Sequence, residues 1–132
     1  MKKMIFLLVG AGLVIAFLAA TNTQEKPWDV PEKYVSMKNP TDAGDSDCLD
    51  IGESLYKKHC RSCHGSEGLG DGSKSAMLDT PMPDLTTDDY KAQKAGVKYF
   101  QSIVGRDDMP NFEKKIPNEE DRWCLINYMD TF

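Results

Sequence analysis

The stretch HCRSCHGSEGLGDG, residues 59–72, decides how this sequence is interpreted. Cys60 and Cys63 stand three apart, His64 follows at once, and four glycines fall within the next eight residues. The C-x-x-C-H spacing is the attachment pattern of c-type haem. On one helical turn, two thiols can form thioethers with the vinyl groups of a porphyrin while the imidazole points at the iron. We therefore predict one haem, tethered by Cys60 and Cys63 and ligated by His64.

Two other uses of a cysteine pair suit this chain less well. A structural zinc site needs four ligands, and the remaining cysteines, Cys48 and Cys124, are isolated in the sequence. A thioredoxin-like redox pair needs a βαβ setting, which the sequence lacks. A haem also explains residues 64–87, a stretch rich in Gly, Pro, Asp and Ser that we interpret as loop. So long a loop in a compact domain requires something else to fill the core.

The second axial ligand of the iron must come from elsewhere in the chain. The sequence contains only two histidines, and His59 lies on the same helix as His64, so it cannot reach the opposite face of the haem. Methionine, lysine or an empty position remain. We predict Met109, which lies in a loop stiffened by Pro110. Met82, also followed by proline, is the alternative.

The 132 residues suit one domain preceded by two short segments. Residues 4–20 form an unbroken apolar run after two lysines, which is typical of a secretory signal and also long enough to cross a bilayer. Leu18 makes the cleavage site poor, so residues 1–20 are either a cleaved signal or a retained anchor. In both cases we expect export to the periplasm or the outer face of the cytoplasmic membrane. Residues 21–47 contain three prolines and no periodicity, which predicts an extended arm or linker.

Residues 48–132 are predicted to be all-α. Apolar residues recur at helical spacing over 49–60 and 92–103, and Gly105 ends the second of these helices. Asn118 is the expected N-cap of a last helix, with acidic residues in its first turn. No segment has a convincing strand pattern. The net charge is −5 and no basic face is evident, so we expect no nucleic-acid partner.

Together these features resemble the class I c-type cytochromes, in their small bacterial mono-haem form, over residues 48–132. The resemblance implies three main helices and long loops wrapped around one covalently bound haem c. It also implies that Gly52 and Tyr56 pack on the last helix, against Leu125 and Tyr128. The stretches that carry it are GESLYKKHCRSCHG, GLGDG, PMPDLT, GRDDMPNF and EEDRWCLINYM.

The resemblance also suggests how the iron ligands are held. The carbonyl of Pro81 or Pro83 is expected to accept a hydrogen bond from the second ring nitrogen of His64. The distal methionine of the family is commonly followed by proline, as Met109 is here. Cys48 and Cys124 depart from the family pattern. Cys48 lies one turn before Gly52 and so faces the last helix, and in an oxidising compartment we expect the two cysteines to form a disulfide.

The expected function is transport of single electrons between redox partner proteins, such as respiratory complexes or oxidases. An iron held by His64 and Met109 has no open position, so we expect an electron carrier and not an enzyme. One alternative is a fixed haem subunit of a membrane respiratory complex, attached through residues 4–20. A haem enzyme or gas sensor is a further alternative if the sixth iron position is open.

Overall fold

The computed structural model describes residues 26–132, so the predicted signal or anchor segment lies outside the described residues. Within this range the only β-pairing is one isolated bridge between Arg106 and Met109, and the predicted all-α fold is confirmed. None of the helices in residues 26–132 is long and apolar enough to span a membrane. The α-helices are α1 Glu32–Val35, α2 Ser46–His59, α3 Arg61–His64, α4 Asp88–Lys91, α5 Ala95–Tyr99 and α6 Glu119–Met129, with a 3₁₀ turn at Ser75–Met77 and a π turn at Phe100–Val104.

The two long helices, α2 and α6, begin at side-chain caps. The Asp45 carboxylate accepts hydrogen bonds from the amides of Asp47 and Cys48 at the start of α2. Asn118 accepts one from the Glu120 amide at 3.0 Å, as predicted for the last helix. These caps satisfy amides that have no partner within the helix. With α2 beginning at Ser46, Cys48 and, one turn later, Gly52 lie on its buried face.

Helices α2 and α6 cross closely at Gly52. A β-carbon at this position would lie 2.2 Å from the Cys124 carbonyl oxygen and 2.7 Å from the Tyr128 β-carbon, so only glycine fits. One turn later the rings of Tyr56 and Tyr128 have centroids 5.6 Å apart. Leu125 belongs to the same buried cluster as Tyr56. The predicted packing of α2 on the last helix is therefore confirmed.

A disulfide joins the same two helices. Cys48 and Cys124 are paired, with their Cα atoms 4.9 Å apart, and both are buried. The bond closes a loop of 76 residues in sequence that contains the whole C-x-x-C-H motif. It fixes the start of α2 against the middle of α6.

The middle of the domain differs from the single helix expected over 92–103. Helix α4 ends at Lys91, and α5 begins only at Ala95 after an extended Lys94. Helix α5 then widens into the π turn, a form that is often found at functional sites. Gly105, with φ of 69°, ends the turn as predicted.

The segment predicted as an extended arm lies against the domain. In this arm, residues 26–45, the Tyr34 ring stacks on Tyr99 at 6.3 Å and contacts Phe100 at 4.8 Å. The Tyr34 carbonyl approaches α5 so closely that a β-carbon on Gly96 would lie 1.9 Å from it. The arm is thus packed on α5 and on the π turn that follows it, through two aromatic contacts and a backbone approach.

Candidate functional site

The C-x-x-C-H motif lies on one helical turn at the junction of α2 and α3. The Cys60 amide donates to the Tyr56 carbonyl at 2.9 Å and so continues α2. The amides of Cys63 and His64 both donate to the Cys60 carbonyl, at 3.1 and 3.0 Å. Neither Cys60 nor Cys63 is in a disulfide, and their thiols are free to react. This is the arrangement that attachment of a haem at two thiols requires.

The glycine-rich loop after the motif folds back on α3. The Gly70 amide donates to the His64 carbonyl at 2.9 Å, and the Gly72 amide donates to the Cys63 carbonyl at 3.1 Å. A β-carbon on Gly72 would lie 2.5 Å from the carbonyl carbon of Cys63. The loop can therefore follow the motif this closely only because glycine stands there.

A cavity of about 440 Å³ opens beside α3, within the size range of cofactor pockets. It brings together most of the residues predicted from the sequence: Cys60, His64, Pro81, Pro83, Met109 and the alternative ligand Met82. Cys63, on the same turn as Cys60, is not among the described residues that line it. His59 lies outside it, with its ring 5.6 Å from that of Phe112.

Burial sets the protonation of the two groups that the motif brings to the cavity. His64 is 9% exposed, and burial lowers the pKa of its imidazole below the ordinary value, so the ring is neutral and able to ligate a metal. Burial, with a smaller effect from Cys63, raises the pKa of the Cys60 thiol to about 12. Before any reaction Cys60 is therefore a protonated thiol.

The hydrogen bond implied for His64 is not formed in this structure. The Nδ1 atom of His64 is buried and has no hydrogen-bond partner among the described residues, so neither the Pro81 nor the Pro83 carbonyl accepts from it. Both prolines line the cavity. Which of them orients the ring stays a prediction.

The cavity also presents polar atoms that the sequence did not indicate. The Tyr90 hydroxyl and the Gln93 side-chain oxygen are buried there without a hydrogen-bond partner in the described part of the chain. Burial, reinforced by the charge of Asp130, raises the pKa of Tyr90, so its hydroxyl stays a donor. A buried donor without an acceptor is costly, and a haem, which carries carboxylate groups, fits this position. Tyr90 was missed because it comes from a short element with no clear apolar periodicity.

The methionines differ in their relation to the cavity. Met82 and Met109 both line it, whereas Met77 is 72% exposed and does not. The Met82 main chain lies against Gly70, where a β-carbon would be 2.9 Å from the Met82 carbonyl oxygen. The Gly70 amide is hydrogen-bonded to the His64 carbonyl, and Met82 lies against Gly70. Met82 therefore belongs to the wall of the cavity that carries His64. Met109 comes from a separate loop after the π turn.

Residues 48–129, more than half of the chain, match the family described as cytochrome C oxidase, cbb3-type, subunit III. The chain belongs to this family of class I c-type cytochromes. A solved structure, the Kuenenia stuttgartiensis reducing HAO-like protein complex, resembles the cytochrome with 26% sequence identity and a TM-score of 0.58. That match covers 69% of the cytochrome and 48% of the other chain, so the cytochrome corresponds to about half of that chain's length. A comparison with curated proteins finds no match.

The predicted family and its cofactor, covalently bound haem c, are thereby confirmed. The cavity fits that group, since it combines a buried neutral imidazole, a free thiol of the attachment motif, thioether sulfur and an unpaired hydroxyl donor. In the cytochrome, Cys60 and Cys63 would attach the haem. His64 and Met109 are the residues that the sequence predicts would hold its iron, and both line the cavity.

Proposed function

We propose that this cytochrome carries single electrons between two redox proteins outside the cytoplasmic membrane, with His64 and Met109 as axial ligands. Membership of the family establishes haem-based electron transfer in general. The observation that supports the finer proposal is that His64 and Met109 line one cavity from different elements. One is fixed by α3 and the other by a loop 45 residues later, so a haem bound in this cavity would have both side chains in its surroundings.

The surroundings of the cavity favour electron transfer over catalysis at the iron. When bound, the haem supplies a one-electron couple, and a methionine ligand raises its reduction potential. His64 is the one histidine lining the cavity in the described chain, and it is assigned to the proximal side. His59 is outside the cavity, so no histidine is left to act as a distal acid–base group beside a bound peroxide.

Carbon monoxide binding and a potentiometric titration test this proposal together. The ferrous protein should show no prompt spectral change with carbon monoxide at neutral pH, because Met109 occupies the sixth position and must dissociate before carbon monoxide can bind. Its potential should fall in the upper half of the range of about 0.8 V that haem proteins cover. Prompt, stoichiometric binding of carbon monoxide would instead support an enzyme or gas sensor.

A second candidate is a haem subunit fixed to a membrane respiratory complex. The family description names an oxidase subunit, and the solved relative is itself part of a protein complex. Residues 4–20 would attach the cytochrome to the membrane. N-terminal sequencing of the native protein and its purification from membranes decide between the two. An intact N-terminus and stoichiometric recovery with an oxidase favour the subunit, whereas cleavage after residue 20 and recovery alone favour the diffusing carrier.

A further inference from the structure

The arm contacts the domain at the residue that opens the Met109 turn. The Arg106 guanidinium lies over the Trp28 ring, 4.0 Å from its centroid. The same group donates a hydrogen bond of 2.8 Å to the Pro27 carbonyl and another to the Lys26 carbonyl. One side chain of the domain thus binds three consecutive residues of the arm.

The main chain of Arg106 is tied to Met109. The Met109 amide donates to the Arg106 carbonyl at 2.8 Å, closing a four-residue turn. Within the turn, Asp107 adopts a φ of 50°, which is uncommon for a residue other than glycine. At Gly105 a β-carbon would lie 2.3 Å from the Met109 carbonyl oxygen. Because the turn is closed by its own hydrogen bond, the Met109 main chain can move away only if the turn opens or Arg106 moves with it.

The arm is itself held at points away from this turn. The Trp28 ring packs edge-on against Phe100 with centroids 6.2 Å apart. Further along, Asn39 donates to the Asn127 side chain on α6 at 2.5 Å. Tyr34 comes between Trp28 and Asn39 in the sequence, and its ring packs on Tyr99 of α5. The arm is therefore fixed to α5, the π turn and α6 at points other than Arg106.

The arm also forms part of the cavity wall. Lys26, Trp28 and Arg106 line the cavity together with Met109. The family match begins at residue 48, so these arm residues are not part of the family pattern. The contact is a feature of this chain and is not implied by its family.

We propose that Trp28 and Arg106 are positioning residues for Met109. The arm clamps the turn through the Arg106 side chain and so limits how often the methionine sulfur leaves the iron. This inference rests on Met109 as the distal ligand in the proposed function. A cation over an aromatic face and two hydrogen bonds from a charged donor are among the stronger contacts available to a partly exposed side chain.

The test measures how fast carbon monoxide binds to the ferrous full-length protein when the contact is removed. Since carbon monoxide can enter only after Met109 dissociates, its slow binding reports how often the methionine sulfur leaves the iron. In Trp28→Ala we expect the rate to rise by about tenfold, which corresponds to about 1.4 kcal/mol. Trp28→Phe keeps an aromatic face under the guanidinium and should restore most of the slow rate. Arg106→Gln, which removes the charge, should behave like Trp28→Ala.

Asn39→Ala is the matched control, because it removes a contact of the arm with α6 that does not involve the turn. It should lower the melting temperature. The rate of carbon monoxide binding should change by no more than about twofold, which is a small difference in activation free energy. Equal rates in Trp28→Ala and the wild type overturn the clamp. So does an equal acceleration in Asn39→Ala, because the effect would then be general loosening.

Met109→Leu separates failure of the clamp from failure of the ligand assignment. Loss of the sulfur-to-iron charge-transfer band in Met109→Leu, together with slow binding in the wild type, supports the ligation on which the clamp depends. If Met109→Leu keeps the band, both proposals are overturned. If it loses the band while Trp28→Ala matches Asn39→Ala, the clamp alone is overturned.

Discussion

At the scale of single residues, burial decides the protonation state of His64 and of Cys60. His64 is neutral and Cys60 is protonated because both are withdrawn from water at the edge of the same cavity. The neutral imidazole is the form that binds iron. The thiol is the form whose sulfur and hydrogen both add across a vinyl group. His64 and Cys60 are thus in the forms that ligation and attachment require, and burial is the main cause for both.

Covalent attachment is tested by exchanging the two cysteines of the motif. The double variant Cys60→Ser, Cys63→Ser should release any haem into acidified acetone, since no thioether can form. The wild type should keep its colour in the protein fraction and show a mass increased by one haem. The variant Cys48→Ser, Cys124→Ser is the control and should also keep its haem. Release of haem from the wild type would contradict covalent attachment.

The assignment of the distal ligand is tested at Met109 and Met82. Met109→Leu should abolish the charge-transfer band of the ferric protein and lower the reduction potential, since thioether sulfur favours reduced iron. Met82→Leu removes the other partly buried methionine that lines the cavity, and its spectrum should be unchanged. Loss of the band in Met82→Leu alone would show that the ligand comes from the wall that carries His64.

At the scale of elements, the two longest helices of residues 26–132, α2 and α6, cross closely. The crossing combines the close approach at Gly52 with the disulfide between Cys48 and Cys124 one turn earlier. Because α2 leads directly into α3, this crossing also fixes the attachment turn. Changes at the crossing should therefore affect stability first and the spectrum of the iron only secondarily.

Gly52→Ala should destabilise the domain. The added methyl group would lie 2.2 Å from the Cys124 carbonyl oxygen, so the two helices must move apart. Overpacking of this kind typically costs about 1–3 kcal/mol, which outweighs the gain in helix propensity. Chemical denaturation of the haem-containing protein measures the loss. Gly44→Ala is the control, because its new methyl group would meet only the Asp42 carboxylate at 3.5 Å. An equal midpoint for the two variants would refute the steric argument.

The disulfide is tested by thiol labelling and by substitution. The unfolded, unreduced holoprotein should take up no label, since Cys60 and Cys63 would be in thioethers and Cys48 and Cys124 in the disulfide. Replacing Cys48 and Cys124 with serine should lower the free energy of unfolding by about 2–5 kcal/mol, as is typical of native disulfides in small exported domains. Two labelled cysteines in the wild type would exclude the bond.

Local signals in the sequence were sufficient for some elements and not for others. The Asn118 cap, the Gly105 helix end and the turn of Cys60–His64 each depend on residues close in sequence, and the structure has all three. Trp28 and Arg106 meet across 78 residues, in a segment without periodicity, so no local pattern indicates their contact. The break between α4 and α5 likewise interrupts a stretch with continuous helical spacing.

At the scale of the whole molecule, the haem is part of the core. The cavity of about 440 Å³ is bounded by buried residues of the motif, α4 and α6, including Cys60, Tyr90 and Met129. The long loop of residues 64–87 was predicted to need such a filler. The structure places Pro81, Met82, Pro83 and Leu85 of that loop along the cavity, so this part of the loop would pack on the cofactor.

Removal of the haem should therefore unfold the domain. An empty cavity of this size costs on the order of 10 kcal/mol at about 24 cal/mol per Å³, which is comparable to the whole stability of a small domain. Protein made without haem should lose a cooperative thermal transition in circular dichroism. The holoprotein, measured in the same buffer, is the control. A sharp melting transition in the haem-free protein would show that the residues alone suffice to fill the core.

The entry point of the arm also sets how far the cavity can lie from a bilayer. Lys26 lines the cavity, and only residues 21–25 separate it from the predicted apolar segment. A fully extended chain from residue 20 to residue 26 spans about 20 Å at most. If the segment is retained, the tether is short enough to keep the mouth of the cavity beside the membrane, within reach of partners embedded there. If it is cleaved, residues 21–25 no longer act as a tether, and the domain can diffuse throughout its compartment.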